Sequence, residues 1–175
     1  HQEGYQVSVA LHAGQLIDQS VYKSVDRVNL MTYDMQGASY HADFGKMREA
    51  IDKLVHAGCP KEKILVGLPA YGRHKHTREP ETYSTLADHA MQHENVGLQG
   101  LSKLDDINDY LVDSSAAVQA KVRYIQAQGL GGIFFWELGQ DKVHADEPAG
   151  ILLSTASRQA RSTEIPQDSQ QHEEL

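Results

Sequence analysis

Aromatic and polar side chains follow three short apolar segments of this 175-residue chain. One segment ends in Asn-Leu-Met-Thr-Tyr-Asp (residues 29–34), another is followed by Tyr-Gly-Arg (71–73), and a third ends in Phe-Trp-Glu (135–137). In a strand, side chains alternate between two faces, so Met31 and Tyr33 share one face. A concave site that combines aromatic rings with hydrogen-bonding groups can hold a sugar ring. These three segments therefore predict a carbohydrate site.

The elements that must position these side chains form four strand-then-helix units. Each predicted strand is short, apolar and bounded by turn residues, and the strands are expected at 5–11, 25–33, 63–69 and 132–136. Apolar positions at helical spacing and capping residues predict the helices, at 21–22, 43–58, 86–91, 104–111, 114–128 and 150–160. Strands that alternate with helices indicate a parallel sheet with right-handed crossovers.

The predicted fold class is α/β, and two parallel-sheet architectures fit the pattern. A doubly wound sheet is the weaker alternative, because no nucleotide-binding glycine fingerprint follows the first predicted strand. A complete (β/α)8 barrel takes about 250 residues, so four units correspond to half of one. In such a barrel the functional groups cluster at the C-terminal ends of the strands, which is where the aromatic and polar residues fall.

Charge, cysteine content and histidine spacing argue against several partners. A formal net charge of −8 disfavours a nucleic-acid partner, and no apolar run approaches the roughly 20 residues that span a bilayer, so no membrane partner is expected. Cys59 is the only cysteine, which excludes a disulfide framework. His89 and His93, like His74 and His76, are closely spaced but lack a third ligand. We therefore expect no metal ion and no cofactor.

Three of the segments resemble, in the correct order, the second half of the catalytic domain of glycoside hydrolase family 18, the chitinase family. Residues 28–34 (Val-Asn-Leu-Met-Thr-Tyr-Asp) look like its sixth barrel strand, and residues 63–73, which end in Gly-Leu-Pro-Ala-Tyr-Gly-Arg, look like its seventh. Residues 129–137 (Gly-Leu-Gly-Gly-Ile-Phe-Phe-Trp-Glu) are similar to its eighth, and residues 5–12 are a looser match to its fifth. The resemblance covers about residues 5–155.

The resemblance implies the domain organisation. Residues 1–160 would be the C-terminal half of a TIM barrel, strands 5 to 8, and residues 161–175 form a polar tail that we expect to be disordered. The chain begins without an initiator Met, so we expect it to be a piece of a longer protein. The short connection between Arg73 and Gly129 predicts a shallow cleft without a compact β-rich subdomain. An extracellular location is suggested by the resemblance alone.

The resemblance also implies the chemistry. The family hydrolyses β-1,4-linked N-acetylglucosamine polymers with retention, using the acetamido oxygen of the substrate as the nucleophile. By this resemblance the two catalytic residues of the chain would be Tyr33, which hydrogen-bonds the acetamido carbonyl, and Asp34, which contacts the distorted sugar. The partner would be chitin or an N-acetylglucosamine oligosaccharide.

Four further residues would bind the substrate, by the same resemblance. Met31 would line the pocket around the acetyl methyl group, and Trp136 would be the floor on which the reacting ring stacks. Tyr71 and Arg73 would contact the sugar further along the cleft.

The proton donor of the family is missing from this sequence. That donor is the Glu ending an Asp-x-x-Asp-x-Asp-x-Glu segment on the fourth strand, and the chain contains no such segment. The acidic residues 105–109 follow the wrong strand, and Glu137 lies opposite Trp136 in strand phase, so we expect neither to replace it. Since a general acid contributes about 10²–10⁴-fold, we expect this chain alone to be inactive.

Three hypotheses about function stay open at this point. The chain is part of a chitinase-type hydrolase, or of a chitinase-like lectin that binds N-acetylglucosamine chains without cutting them, or it is a half-barrel without a ligand. A half-barrel exposes two sheet edges, which need a partner. We expect that partner to be the missing N-terminal half-barrel, or a second copy of the chain through self-association.

Overall fold

The computed structural model describes residues 4–36 and 40–162. Its main sheet has four parallel strands in chain order, each hydrogen-bonded to the next. They are β1 (Ser8–His12), β2 (Arg27–Met31), β3 (Ile64–Pro69) and β8 (Gly132–Trp136). The predicted parallel sheet is therefore confirmed. The first strand begins three residues later than predicted and includes His12.

Six α-helices accompany the strands in the described residues, and they include the predicted helices apart from 104–111. They are α1 (Gln19–Ser24), α2 (Phe44–His56), α3 (Tyr83–His93), α4 (Leu98–Leu101), α5 (Ser115–Ala127) and α6 (Ile151–Arg161). Asp43 and Ser114 cap α2 and α5 as predicted, because their side-chain oxygens accept hydrogen bonds from the backbone N–H groups of Lys46 and Ala117.

A second, antiparallel sheet lies between β3 and α5 in the sequence. Its strands are β4 (Tyr71–His74), β5 (Pro80–Thr82), β6 (Asp106–Ile107) and β7 (Tyr110–Leu111), in the order β5-β4-β7-β6. The prediction of a helix over 104–111 is wrong, because Asn108 and Asp109 both adopt positive φ (50° and 65°). Two such residues form a tight hairpin turn, which ends any helix.

The expectation that the connection lacks a β-rich subdomain is also wrong. Helix α3 packs on the second sheet through Leu86, whose Cδ1 methyl carbon lies only 2.8 Å from the position that a Cβ on Gly72 would occupy. Together, residues 71–111 form a small α+β subdomain. Its strands are only two to four residues long, so their apolar alternation is too short to be recognised in the sequence.

The two faces of the main sheet differ in burial. On one face the paired residues Leu30, Val66 and Ile133 pack into the main hydrophobic core. On the other face Met31 pairs with Gly67 and Gly67 with Phe134, and both large side chains are only partly buried. The alternation predicted for residues 29–33 is confirmed in β2, where buried Val28 and Leu30 alternate with half-buried neighbours.

No helix in the described part of the chain is long and apolar enough to cross a membrane. Within the same residues, 4–36 and 40–162, no group of three or more His, Cys, Asp and Glu side chains is placed to hold a metal ion. Most of the predicted tail, residues 163–175, lies outside the described residues.

Candidate functional site

Asp34 lies just beyond the C-terminal end of β2 and is bound by two side chains from the antiparallel sheet. The hydroxyl of Tyr71 donates a hydrogen bond to Asp34 Oδ2 (2.8 Å). Arg73 binds both carboxylate oxygens, Nε to Oδ1 and Nη2 to Oδ2, each at 2.7 Å. Asp34 has a φ of 52°, a left-handed conformation that Asp tolerates better than most residues. This backbone turn presents the carboxylate to β4.

The environment keeps Asp34 ionised. Burial by itself raises the pKa of this carboxyl, but hydrogen bonds from His41, Arg73 and Tyr71 and the charge of Arg73 outweigh burial and place the pKa far below its usual value. Burial raises the pKa of the Tyr71 phenol well above its usual range, and the hydrogen bond that its hydroxyl donates to Asp34 raises this pKa further. Asp34 is therefore a fixed anion and a poor proton donor at any ordinary pH.

Tyr33 lies in an aromatic cluster beside this carboxylate. Its ring meets the rings of Tyr71 and Phe134 edge to face, with centroids 6.3 Å apart in both pairs. Burial, and then the negative charge of Asp34, raise the pKa of Tyr33 to about 12. The phenol therefore keeps its proton at neutral pH and can donate a hydrogen bond to a ligand oxygen.

Gly67 makes room for this cluster. A Cβ at Gly67 would lie 2.6 Å from the ring of Phe134 and 2.8 Å from the ring of Tyr33. Neither Gly67 nor Phe134 was among the predicted site residues. Their places inside the Gly-Leu-Pro and Gly-Gly-x-x-x-Trp segments are a signal that could have identified them.

Met31 and Trp136 lie on the same face of the main sheet as the aromatic cluster. Met31 packs against the small buried cluster that Tyr33, Ala42 and Tyr71 form. Trp136, the last residue of β8, pairs with Pro69 and is 54% exposed. An exposed Trp at a strand end is available for stacking, whereas most large apolar side chains of the main sheet are buried. Of the six predicted residues, Met31, Tyr33, Asp34, Tyr71 and Arg73 are in one contact network.

A cavity of about 570 Å³ adjoins this network at the ends of β1 and β2. Tyr33 and Asp34 line it, together with His12, Gly14 and Lys53. Trp136, Tyr71 and Arg73 are not part of its lining, so this cavity lies beside the aromatic and charged residues rather than among them. The chemistry points to the open sheet face, because the groups suited to sugar recognition converge there.

A buried polar network behind the site was not predicted. Lys121 and Asp113 form an ion pair with Nζ–O distances of 2.6 and 2.7 Å, and both side chains are almost completely buried. The Tyr40 hydroxyl donates to Asp113 Oδ1 (2.8 Å), and Lys121 also donates to the carbonyl of Ala42 (2.6 Å). His41, between Tyr40 and Ala42, is fully buried. No sequence motif connects residues 40–42 with 113–121, since only the fold brings them together.

Comparisons with known proteins show the family and the fold of the chain. The sequence model described as glycosyl hydrolases family 18 matches residues 2–141. A curated relative, endochitinase 1 of Metarhizium robertsii, is 25% identical over 87% of this chain and 45% of its own length. A family 18 chitinase structure from Flavobacterium johnsoniae superposes with a TM-score of 0.73 at 20% identity, covering 90% of this chain and 52% of that one.

A second solved structure is similar to a comparable extent. It is a class V chitinase mutant from Nicotiana tobaccum in complex with NAG4, with a TM-score of 0.67 at 18% identity, covering 90% of this chain and 57% of that one. The chain thus spans about half the length of each of these three proteins. The matched family model covers most of the chain, and the chain belongs to glycosyl hydrolase family 18.

Proposed function

We propose that this chain is the C-terminal half of a family 18 TIM barrel, contributing strands 5 to 8. Four parallel strands in uninterrupted chain order, with α2 and α5 in the connections that follow β2 and precede β8, support this proposal. In the described residues, β1 and β8 each pair with one strand of the sheet, so each presents an edge. An N-terminal half-barrel would cover both edges and the half-buried face that carries Met31 and Phe134.

The isolated chain should then self-associate through these edges. Sedimentation velocity at several concentrations measures this directly, and an increase of mass with concentration is expected. A strictly monomeric chain with cooperative thermal unfolding contradicts the requirement for a partner.

We further propose that the site binds β-1,4-linked N-acetylglucosamine chains. The observation that carries this proposal is the fixed Asp34 carboxylate beside the protonated Tyr33 phenol, on the sheet face that also exposes Trp136. The phenol is a hydrogen-bond donor for the acetamido carbonyl, the Trp ring is an apolar surface for the sugar face, and Met31 supplies an apolar wall for the acetyl methyl group.

The proposed reaction is retaining hydrolysis assisted by the substrate. The acetamido oxygen attacks the anomeric carbon, the glycosidic oxygen leaves with a proton from a general acid, and water then opens the oxazolinium ion. Tyr33 and Asp34 would orient and polarise the acetamido group. The general acid would be a Glu outside these 175 residues, because the Asp-x-x-Asp-x-Asp-x-Glu segment does not occur in them.

A lectin is the less supported alternative. It would use the same aromatic and charged residues without the acid, but several curated relatives that match the chain are named endochitinase or Nod factor hydrolase. On the proposed assignment, this chain alone binds the oligosaccharide and does not cleave it.

Calorimetry with the N-acetylglucosamine tetrasaccharide tests the binding site. We expect Trp136→Ala to weaken binding about tenfold, since losing an aromatic platform costs about 1.5 kcal/mol. Tyr5→Ala is the matched control, because Tyr5 is an exposed aromatic (75%) before β1, at the opposite end of the parallel sheet. Absence of binding by the wild type, or equal loss in both variants, would overturn the site. Hydrolysis of the tetrasaccharide by this chain would overturn the assignment of the acid to an external Glu.

A further inference from the structure

His41 occupies a position that neither the sequence motifs nor the proposed reaction explains. We propose that His41 is a positioning residue that holds Asp34 through its Nδ1–H, and that the buried Lys121–Asp113 pair anchors the backbone on which His41 sits. The consequence for saccharide binding rests on the proposed function, whereas the contact itself does not.

The ring of His41 is completely buried between two tyrosines. Its centroid lies 5.0 Å from that of Tyr40 and 5.1 Å from that of Tyr71. Its Nδ1 atom lies 3.5 Å from Asp34 Oδ1, and the backbone N–H of Asp34 points at the same Nδ1 atom (N–N distance 3.4 Å) in the geometry of a hydrogen-bond donor. His41 therefore faces both the carboxylate and the backbone of Asp34, the left-handed residue that lies just beyond β2.

The neighbours of the ring indicate which nitrogen carries the proton. His41 Nε2 is buried and has no hydrogen-bond partner in the described part of the chain. If Nδ1 accepted a bond from the Asp34 N–H, the proton would sit on Nε2 as a buried donor without a partner, which is the costlier arrangement. If Nδ1 carries the proton, the Asp34 N–H loses its long bond of 3.4 Å to this nitrogen, but the imidazole N–H faces a carboxylate, and a hydrogen bond to a charged group is stronger than one between neutral groups. The Nδ1–H tautomer is therefore favoured.

The segment that carries His41 is fixed on both sides. Before it, the hydroxyl of Tyr40 is bound to Asp113; after it, the carbonyl of Ala42 accepts a hydrogen bond from Lys121. The ammonium of Lys121 also lies 5.7 Å from the centroid of the Tyr40 ring, within cation–π range. Lys121 lies in the middle of α5, and Asp113 lies two residues before that helix. Residues in and just before α5 therefore fix the segment that carries His41, which in turn contacts Asp34.

Asp34 is thereby held from two directions. Arg73 and Tyr71 bind the carboxylate from β4, and His41 contacts it from the loop before α2. If only the side chains of Tyr71 and Arg73 bound the carboxylate, its orientation would change with any movement of β4. The contact from His41 restricts such a change and keeps the carboxylate in one orientation next to Tyr33.

Three substitutions separate positioning from packing. His41→Phe keeps an aromatic ring between the two tyrosines but has no nitrogen. The amide nitrogen of His41→Asn can occupy the place of Nδ1, and that of His41→Gln the place of Nε2. We expect binding of the N-acetylglucosamine tetrasaccharide to weaken about tenfold in the Phe and Gln variants, the loss expected for one hydrogen bond to a charged group. His41→Asn should retain wild-type affinity within about threefold, which is about 0.65 kcal/mol.

A second measurement needs no saccharide. The ¹⁵N shifts of the imidazole identify the protonated nitrogen, and we expect Nδ1–H in the wild type and a mixed population in Asp34→Asn, where the carboxylate charge is removed. Equal affinity of the Phe and Asn variants, in a protein that binds the tetrasaccharide, contradicts the positioning role. Protonation on Nε2 contradicts it independently. If the wild type binds no tetrasaccharide, the proposed function fails, and the imidazole shifts still decide the contact.

Discussion

Asp34 and Arg73, which lie 39 residues apart in the sequence, form an ion pair with two parallel hydrogen bonds of 2.7 Å. The pair joins the segment that follows β2 to the α+β subdomain, so it links the two sheets at the candidate site. Paired, planar contacts of this kind fix orientation as well as distance. The geometry of the site therefore depends on residues 71–74 as much as on the main sheet.

Removing the charge of Asp34 should change how stability depends on pH. The folded-state pKa of this carboxyl lies far below its unfolded value of 3.8, so its contribution is present above that value and is lost as the pH falls. We expect the wild type to lose thermal stability between about pH 5 and pH 2. Asp34→Asn should be less stable at pH 7 and should show a smaller loss on acidification.

The control for this prediction is Asp52→Asn, on the exposed side of α2. Its melting temperature should follow that of the wild type across the whole range. Melting curves of the three proteins at several pH values give the comparison. Parallel pH profiles for wild type and Asp34→Asn would show that the paired carboxylate does not contribute as described.

Breaking the Lys121–Asp113 pair should be costlier than removing it completely. Lys121→Met leaves a buried carboxylate without its main partner, and such changes cost about 3–5 kcal/mol. The double variant Lys121→Met/Asp113→Leu removes both charges and should recover most of that loss. The free energy of unfolding, from urea denaturation, provides the measurement.

An exposed pair in the same chain is the matched control. Lys46 and Glu49 form an ion pair at 2.9 Å with side chains 45% and 53% exposed. We expect Lys46→Met to cost less than about 1 kcal/mol, because water screens exposed charges. Similar losses for the two single Lys variants would contradict the buried character of the first pair.

Gly67→Ala should disturb the aromatic cluster. The new Cβ would lie 2.6 Å from Phe134 and 2.8 Å from Tyr33, so at least one ring must move, at a cost of about 1–3 kcal/mol. Saccharide binding should weaken as well, because Tyr33 is displaced. Gly139→Ala is the control, since a Cβ there meets no atom within 4 Å. Unchanged unfolding free energy in Gly67→Ala would refute the close packing at this position.

Asp141 should stabilise the start of α6 from a distance. Its carboxylate accepts hydrogen bonds from the backbone N–H groups of Leu152 (3.2 Å) and Leu153 (3.0 Å). Asp141→Ala leaves these donors without that partner, and we expect a loss of about 1–3 kcal/mol in urea unfolding.

The negative charge of Asp141 contributes less to the stability of the protein than the hydrogen bonds that its oxygen atoms accept. Burial raises the pKa of this carboxyl despite its backbone hydrogen bonds, so ionisation opposes folding as the pH rises above the unfolded value. Asp141→Asn, which keeps one acceptor oxygen and removes the charge, should therefore lose less stability than Asp141→Ala at neutral pH. Asp146→Ala, at a side chain that is 80% exposed, serves as the neutral comparison.

The α/β pattern of the main sheet could be predicted from the sequence because it depends on local signals. Strands over 63–69 and 132–136 are short, apolar and bounded by turn residues, and Asp43 and Ser114 carry capping oxygens at the starts of long helices. The short strands of the second sheet were missed. Each has too few residues to show alternation, and they pair across distances of up to 38 residues, as Arg73 does with Leu111.

The candidate site could also be predicted only in part. The residue types and spacing of Met31, Tyr33 and Asp34 sufficed to place them at the end of one strand, because a strand's alternation is fixed by its backbone. The sequence could not show that Arg73 binds Asp34, that Phe134 lies against Tyr33, or that His41 Nδ1 lies 3.5 Å from the carboxylate of Asp34. The first two contacts join segments that are far apart in the chain. All three stabilise the protein only once the tertiary structure has brought the segments together and excluded water from between them.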